Sequence, residues 1–319
     1  MVRLVPISQS EQAHHKMRVA VIDLGTNSVL LTVAQVQKNR AMKSLLEEKE
    51  TPRLGENVDK TKKISPASIW RVLQTIQNFK KNALRLKAEK IILLGTAALR
   101  EAKNTAHFKK YILKKTGLKL EVISGKEEAE LAYKGATADF KDKGKKFTLL
   151  DIGGGSTEVI VGTSNKIAKL KSLNLGSLRL TERYLKNKKD GCSKMIKFIT
   201  LKFKSLKNNF GMQNSILIGS GGTITTLGAL SLDLKKYDRR KVHGLVLTKS
   251  KINSLLYTLE NMSLAERKRY LKVDPERADI IIGGTIILKQ FMETFGFPDI
   301  LISDKSLRWG VLEELSSKL

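Results

Sequence analysis

Residues 149–162 read LLDIGGGSTEVIVG. Two β-rich apolar runs meet there at Gly153, Gly154 and Gly155, with a carboxylate on either side, Asp151 and Glu158. A two-residue hairpin turn needs far less glycine than this. Glycine lets main-chain N–H groups approach an anion with no Cβ in the way, so the stretch reads as two strands joined by a backbone cradle. Residues 18–37, RVAVIDLGTNSVLLTVAQVQ, repeat the plan of strand, glycine turn and strand, with Asp23 standing 128 positions before Asp151. A repeat at this level points to internal duplication of one α/β unit.

Outward from the two hairpins, residues 68–88 (SIWRVLQTIQNFKKNALRLKA) carry apolar positions at helical spacing. They lead into the strand KIILLGTAALREA (90–102), another helix, and the short strand LEVIS (120–124). The second half shows expected helices over 179–189 and 193–209. It continues with a strand entering a helix at SILIGSGGT (215–223) and a last strand entering a helix at DILISDKSLRWGVLEEL (299–315). Such alternation predicts sheets covered by helices, an α/β chain in two similar domains. The expected division is a polar tail over 1–16, a first domain over 17–136 and a second over 137–303. The polar stretch at 134–147 carries the crossing, and the final helix, 304–319, is free to pack back on the first domain.

Composition narrows the chemistry. Cys192 is the only cysteine and there are four histidines, so neither an intrachain disulfide nor a Cys/His zinc site can form. A metal must then be held by oxygen, which favours Mg²⁺, with Mn²⁺ as the second choice. The longest near-apolar run, ADIIIGGTIIL (278–288), is too short to cross a bilayer, and the first sixteen residues lack the apolar core of a signal peptide. The expectation is a soluble, cytoplasmic protein without a membrane partner. The formal charge of +28, from 59 Lys and Arg against 31 Asp and Glu, attracts polyanions but does not choose among them. Much of it is lysine on amphipathic helices, which composition alone also explains, and no aromatic RNA-binding motif accompanies it, so no specific nucleic-acid partner is expected. A homodimer is compatible with an enzyme of this size.

Three turns follow apolar strands and combine glycine with hydroxyl side chains: DLGTNS (23–28), DIGGGST (151–157) and GSGGT (219–223). Together they can surround a phosphate chain through backbone N–H groups and the side chains of Thr26, Asn27, Ser28, Ser156, Thr157 and Thr223, with Gly221 and Gly222 in the third turn. Asp23 alone fits an ordinary turn cap equally well. Arg100, Arg179, Arg277 and Arg308 are candidate charge clamps, although each could instead pair with helix carboxylates. His243 reads as a packed or capping histidine, and Trp70 and Trp309 as core or interface anchors whose spacing offers no base-stacking platform.

The ordered set AVIDLGTNS, LLGTAALREAKN, VISGKEEAELAYKGA, LLDIGGGSTEVIVG, LNLGSLRLTERYL, LIGSGGTITTL and RADIIIGGTIIL resembles the exopolyphosphatase/guanosine pentaphosphate phosphatase (Ppx/GppA) family in its short, two-domain form. The glycine turns by themselves would indicate only the wider sugar kinase/Hsp70/actin superfamily; SGKEEAEL with DIGGGSTE is far more specific. The resemblance implies two actin-like, RNase H-like domains with the active site in the cleft between them. It also implies a Mg²⁺-dependent hydrolase releasing terminal phosphate from inorganic polyphosphate, guanosine pentaphosphate or both. By position Glu128 matches the family's proposed catalytic base, Asp151 and Glu158 its Mg²⁺-associated acids, with Asp23 as their counterpart in the first turn, and Arg277 an arginine implicated at the site. One departure stands out: many members carry Arg two residues after the serine of the first turn, and this chain has Leu30. Two other readings compete with this one, an ATP-dependent kinase of the same superfamily and a polyanion or nucleotide sensor without turnover.

Overall fold

The structure is a computed structural model that describes residues 16–37, 42–140, 144–164, 166–186 and 190–319. The expected tail lies outside the described residues except for Lys16, which is exposed. Two mixed sheets organise the chain. The first has the order β3-β2-β1-β4-β5, from β1 (Met17–Leu24), β2 (Val29–Val36), β3 (Lys43–Glu50), β4 (Lys90–Gly95) and β5 (Leu120–Val122). Its first three strands form an antiparallel meander, and β4 and β5 continue parallel to β1. The second sheet is built from β6 (Lys146–Ile152), β7 (Thr157–Thr163), β8 (Ile167–Leu173), β9 (Ile216–Ser220), β10 (Val246–Thr248) and β11 (Asp299–Ile302). It repeats the order as β8-β7-β6-β9-β11 and adds β10 antiparallel at the edge.

The repeat extends to hydrogen bonds. Gly25 N–H donates to Ser28 O at 3.1 Å in the first turn, and Gly153 N–H donates to Ser156 O at 3.0 Å in the second. The β2–β3 ladder shifts register between Val33 and Ala34, and the β7–β8 ladder between Val161 and Gly162, which the offset of 128 makes equivalent. A bulge re-aims a strand at the point where it occurs. Two at matching positions are the mark of one duplicated unit.

Residues Val19–Ile22 of β1 are fully buried because both faces of the first sheet are covered. Helices Pro66–Arg85 and Thr105–Thr116 pack Val72, Ile76, Phe79, Phe108 and Ile112 against Ala20 and Ile22. The final helix, Leu307–Ser316, packs Trp309, Val311 and Leu312 against Val19 and Val21 on the other face. A strand buried on both sides reads as a continuous apolar run rather than an alternating one. Helix Pro66–Arg85 starts where its sequence dictates, with the Ser65 hydroxyl accepting from Ser68 N–H and Pro66 in the first turn.

The second sheet has one large core, in which Leu150, Ile152, Val159 and Val161 meet Met195, Ile199, Phe203, Ile287 and Phe291. Its other face is covered by helix Gly125–Thr137, through Ala129, Ala132, Tyr133 and Ala136 against Leu149, Ile160 and Ile218. Helix Gly125–Thr137, nearly all of which precedes the expected boundary at 136 in the chain, thus packs on the second sheet. The expected helices near 179–189 and 193–209 are a short helix Ser177–Leu180 that widens into a π turn Thr181–Leu185, and a helix Gly191–Lys204. Residues 187–189 lie outside the described residues. Among the described residues no helix is long and apolar enough to cross a membrane.

Candidate active site

The two hairpin turns face each other across a cavity of about 950 Å³. The first sheet contributes Asp23, residues 25–28, Leu30 and the end of β3 to its lining, and the second contributes Asp151, residues 153–156, Glu158, Gly221, Gly222 and Arg277. Glu128 enters from the start of helix Gly125–Thr137. The turns approach so closely that a Cβ on Gly155 would lie 2.5 Å from Thr26 Oγ1, and one on Gly154 would lie 3.0 Å from the Asn27 nitrogen. Glycine here therefore permits contact between the two halves as well as access to the backbone. Gly221 has a separate requirement, a φ of +92° with Asp151 Oδ1 only 2.8 Å from where its Cβ would be.

The turns expose donors because their carbonyls are occupied elsewhere. Thr26 O accepts from Gly55 N–H at 2.8 Å and Asn27 O from Arg53 N–H at 3.0 Å. Gly153 O accepts from Ser177 N–H at 2.9 Å, and Gly154 O from Leu178 N–H at 3.0 Å and Arg179 N–H at 3.1 Å. Among the described residues, the N–H groups of Thr26, Asn27, Gly154 and Gly155 have no protein acceptor. Helix Gly222–Ser231 adds the unpaired N–H groups of its first turn at the cavity wall.

Glu128 owes its direction to the residues before it. Ser124 accepts from Glu127 N–H while Glu127 accepts from Ser124 N–H, a reciprocal cap that fixes the first turn of the helix. Glu127 is thereby spent on the cap and its neighbour lines the cavity. Arg100 Nη1 donates to Glu128 Oε2 at 2.6 Å and to Ile123 O at 3.1 Å. Burial pushes the Glu128 carboxyl above its usual range and the Arg100 guanidinium opposes it. Glu158 is 2% exposed and accepts from Ser172 Oγ at 2.7 Å. Burial first, then the charges of Glu128 and Asp151, hold it well above the ordinary carboxylate range. Burial also raises Asp151, against the hydroxyl of Ser306, which donates to Asp151 Oδ2. Asp23 is pushed up to about 7 by burial and by Glu128, with Arg308 opposing.

Four carboxyls around one cavity thus resist simultaneous ionisation. Two buried acceptors, Asp23 Oδ1 and Asn27 Oδ1, have no hydrogen-bond donor among the described residues. Hard oxygens of this kind suit Mg²⁺. Among the described residues no three acids or histidines come together as a closed cage. Mg²⁺ ordinarily takes one or two carboxylates and completes its shell with waters and substrate phosphates, so the donor set fits.

Arg277 lines the cavity with its guanidinium over Gly222, where a Cβ would lie 2.0 Å from Nη2, and its Nε donates to Asp274 at 2.9 Å. Arg308 also lines it, anchored by donation to Leu31 O at 2.8 Å and to Thr32 Oγ1. The structure does not bring Arg100, Arg179, Thr157 or Thr223 to the lining. Arg100 is tied to Glu128. Arg179 lies behind the second turn, donating to Gly155 O at 2.7 Å and pairing with Asp59 and Glu101 of the first domain. The Thr157 hydroxyl donates to Leu175 O, and the buried Thr223 hydroxyl has no partner among the described residues. His243 caps a short helix and stacks on Phe140 at 5.0 Å. Trp309 is buried as expected, whereas Trp70 is 62% exposed and lines the cavity, so it is not a core residue. Sequence reading missed Ser172, Ser306, Lys49 and Asp274. Ser172 sits opposite Glu158 in the β7–β8 ladder, and that pairing is invisible without the register. Lys49, pulled down to about 8 by burial and Arg277, reaches Asp274 across the cleft. Only Ser306 had a sequence signal, a hydroxyl just after a strand end.

The model of the Ppx/GppA phosphatase family matches residues 32–319. The chain belongs to the Ppx/GppA phosphatase family. Among solved structures, the Aquifex aeolicus family member is 33% identical with a TM-score of 0.79, covering 95% of this chain and 99% of that one. An exopolyphosphatase from Cytophaga hutchinsonii is 26% identical with a TM-score of 0.86, covering 95% and 99%. Exopolyphosphatase 2 of Mycobacterium tuberculosis is 30% identical over 315 residues, 94% of this chain and 98% of that protein. The bifunctional 3-dehydroquinate synthase/phosphatase of Fusobacterium nucleatum is 34% identical over 314 residues. The chain spans about half (47%) of the length of that relative. With family membership, the two sheets are the two actin-like domains expected, and the protein is a phosphatase of this family.

Proposed function

We propose that the protein is a Mg²⁺-dependent phosphoanhydride hydrolase that releases the terminal orthophosphate of inorganic polyphosphate, guanosine pentaphosphate or both. The observation that carries this reading is the meeting of Glu128 with three donor-bearing turns around one acidic cavity. The N–H groups of the turns and of the helix start hold the terminal phosphoryl group, and Arg277 neutralises part of its charge. One or two of Asp151, Glu158 and Asp23 would hold Mg²⁺, which when bound would supply further neutralisation of the phosphate charge. Glu128, whose upward shift by burial Arg100 opposes, takes in its ionised form a proton from a water whose oxygen bonds to phosphorus. The bond from phosphorus to the bridging oxygen breaks, and the shortened chain leaves with the electron pair. Orthophosphate release from both substrates, lost on chelation and restored by Mg²⁺, tests the reading; release unaffected by chelator would remove the cation.

The acids make a separate prediction about stability. The folded pKa of Asp23, pushed up to about 7, stands above the ordinary aspartate value of 3.8, so the native state binds more protons between those values and this group's contribution to stability falls as pH rises through that window. A divalent cation relieves the same repulsion. At a hundredfold excess over its dissociation constant, Mg²⁺ is expected to raise the melting temperature by about 5 °C at pH 8 and by much less at pH 5. An equal shift at both values would dissociate the cation from these carboxyls.

Leu30 lies directly opposite Asp23 in the β1–β2 ladder, the place that Glu158 holds opposite Asp151 in the second hairpin. An arginine there would add a cation to the phosphate path. Leu30→Arg is expected to raise kcat/KM on polyphosphate by about tenfold. Unchanged kinetics on both substrates would show that the position does not meet substrate.

A further inference from the structure

We propose that the mouth of the cavity recognises a nucleobase stacked on Trp70 and disfavours long inorganic phosphate chains. The proposal rests on the phosphohydrolase reading and adds to it the class of substrate. Trp70 is 62% exposed, on a helical face whose Arg71, Gln74 and Thr75 line the same cavity. Among the described residues no ring or cation stacks on it, in contrast to Trp309, which is 3% exposed and carries Arg239 and Lys305. A large aromatic face in the wall of a ligand-sized cavity, with Pro52, Val273 and Pro275 in the same lining, suits a flat apolar group.

The charge of the lining points the same way. Although the chain carries +28, the cavity is lined by ten carboxylates and four basic side chains among the described residues. Four of those acids belong to the inner site. Of the others, Asp274 is balanced by Lys49 and Arg277, and Glu47 and Asp304 by Arg239. Glu48 and Glu50 are held by the neutral Asn82, Thr75 and Asn78, so their charge is not cancelled. A polyphosphate chain brings a negative charge with every unit it extends past this rim, and like charges in a partly desolvated cleft repel. A nucleoside 5′-triphosphate carries its phosphates inward and presents a neutral base to the mouth, and guanosine pentaphosphate adds one fixed 3′-diphosphate where a long polyphosphate adds a charge with every unit. The face of that base matches Trp70, and the N–H donors of a purine edge match carboxylate acceptors.

The two tryptophans make the test direct. Guanosine 5′-triphosphate is expected to quench the fluorescence of the wild-type protein, and inorganic tripolyphosphate is not. Trp70→Phe, which retains Trp309, should abolish the nucleotide signal. Trp70→Ala should lower kcat/KM on guanosine pentaphosphate between about fivefold and a hundredfold with little change on polyphosphate, and Trp70→Phe should recover most of it. The double variant Glu48→Gln, Glu50→Gln should increase the rate on long polyphosphate. Absence of quenching, or an equal loss on both substrates in Trp70→Ala, overturns the proposal. Quenching without hydrolysis of either substrate leaves base recognition in place and removes the hydrolase reading instead.

Discussion

Replacing Glu128 by Gln is expected to lower kcat by about a thousandfold and to leave KM within a few-fold, because a positioned general base contributes about 10²–10⁴ in rate. The substitution keeps the shape of the side chain and an oxygen for Arg100, which holds Glu128 at 2.6 Å, so the cavity wall should survive it. What disappears is the only group assigned to take the proton of the attacking water. Single-turnover phosphate release measures the chemical step, and a rate near wild type would withdraw Glu128 from catalysis. A second readout follows from electrostatics. The charge of Glu128 raises the pKa values of both Asp23 and Glu158. Its removal should therefore raise the melting temperature at neutral pH without divalent cation, which is the usual relation between an acidic active site and stability. A variant that is merely misfolded would show the opposite shift.

The second large effect concerns two helices far apart in sequence. Helix Gly125–Thr137 covers the second sheet and helix Leu307–Ser316 covers the first, and they cross at Gly135 and Gly310. A Cβ on Gly135 would lie 2.1 Å from Ser306 O, and one on Gly310 would lie 1.9 Å from Leu131 O. Both neighbours are backbone, so no side chain can rotate away. Gly135→Ala is expected to destabilise by about 3 kcal/mol, the upper part of the range for overpacking, and to lower the melting temperature by about 6–12 °C. Activity should fall further than stability explains, because Ser306 also donates to Asp151. Thermal melts combined with kcat at a temperature where the variant is fully folded separate the two effects; a full-rate, stable Gly135→Ala would refute the close crossing.

Much of the candidate site was legible because its residues are local to strand ends. Asp23, residues 26–28, Asp151, residues 153–156 and Gly221 each sit in a short motif that names its own geometry, a strand followed by glycine. Glu128 was legible only through the resemblance of SGKEEAEL to the Ppx/GppA family, since a Glu near a helix start is by itself ordinary; the reciprocal cap that takes Glu127 and leaves Glu128 at the cavity is a feature of the structure. The arginines were not. Arg277 reaches the cavity while Arg179, in an equally suggestive setting, ties the second turn to Asp59 and Glu101 of the other domain. A long cationic side chain takes whichever carboxylate folding brings near, and sequence spacing does not report that. Trp70, read as a core or interface anchor, is exposed at the cavity and not in the core, which the sequence around it does not report.

The sequence by itself determined the duplicated glycine hairpins, the strands β4, β5, β9 and β11 and the identities of the acids, because these follow from apolar runs, from backbone freedom at glycine and from chemistry within a few residues; it did not report β3, β8 or β10. Only the tertiary structure decided that helix Gly125–Thr137 and the final helix cover different sheets, that Ser172 and Ser306 hold Glu158 and Asp151, and that the cleft of a basic protein is acidic. Those features arise from contacts between residues distant along the chain, where apolar burial selects which surfaces meet and the charged groups near the seam take the partners that burial leaves them.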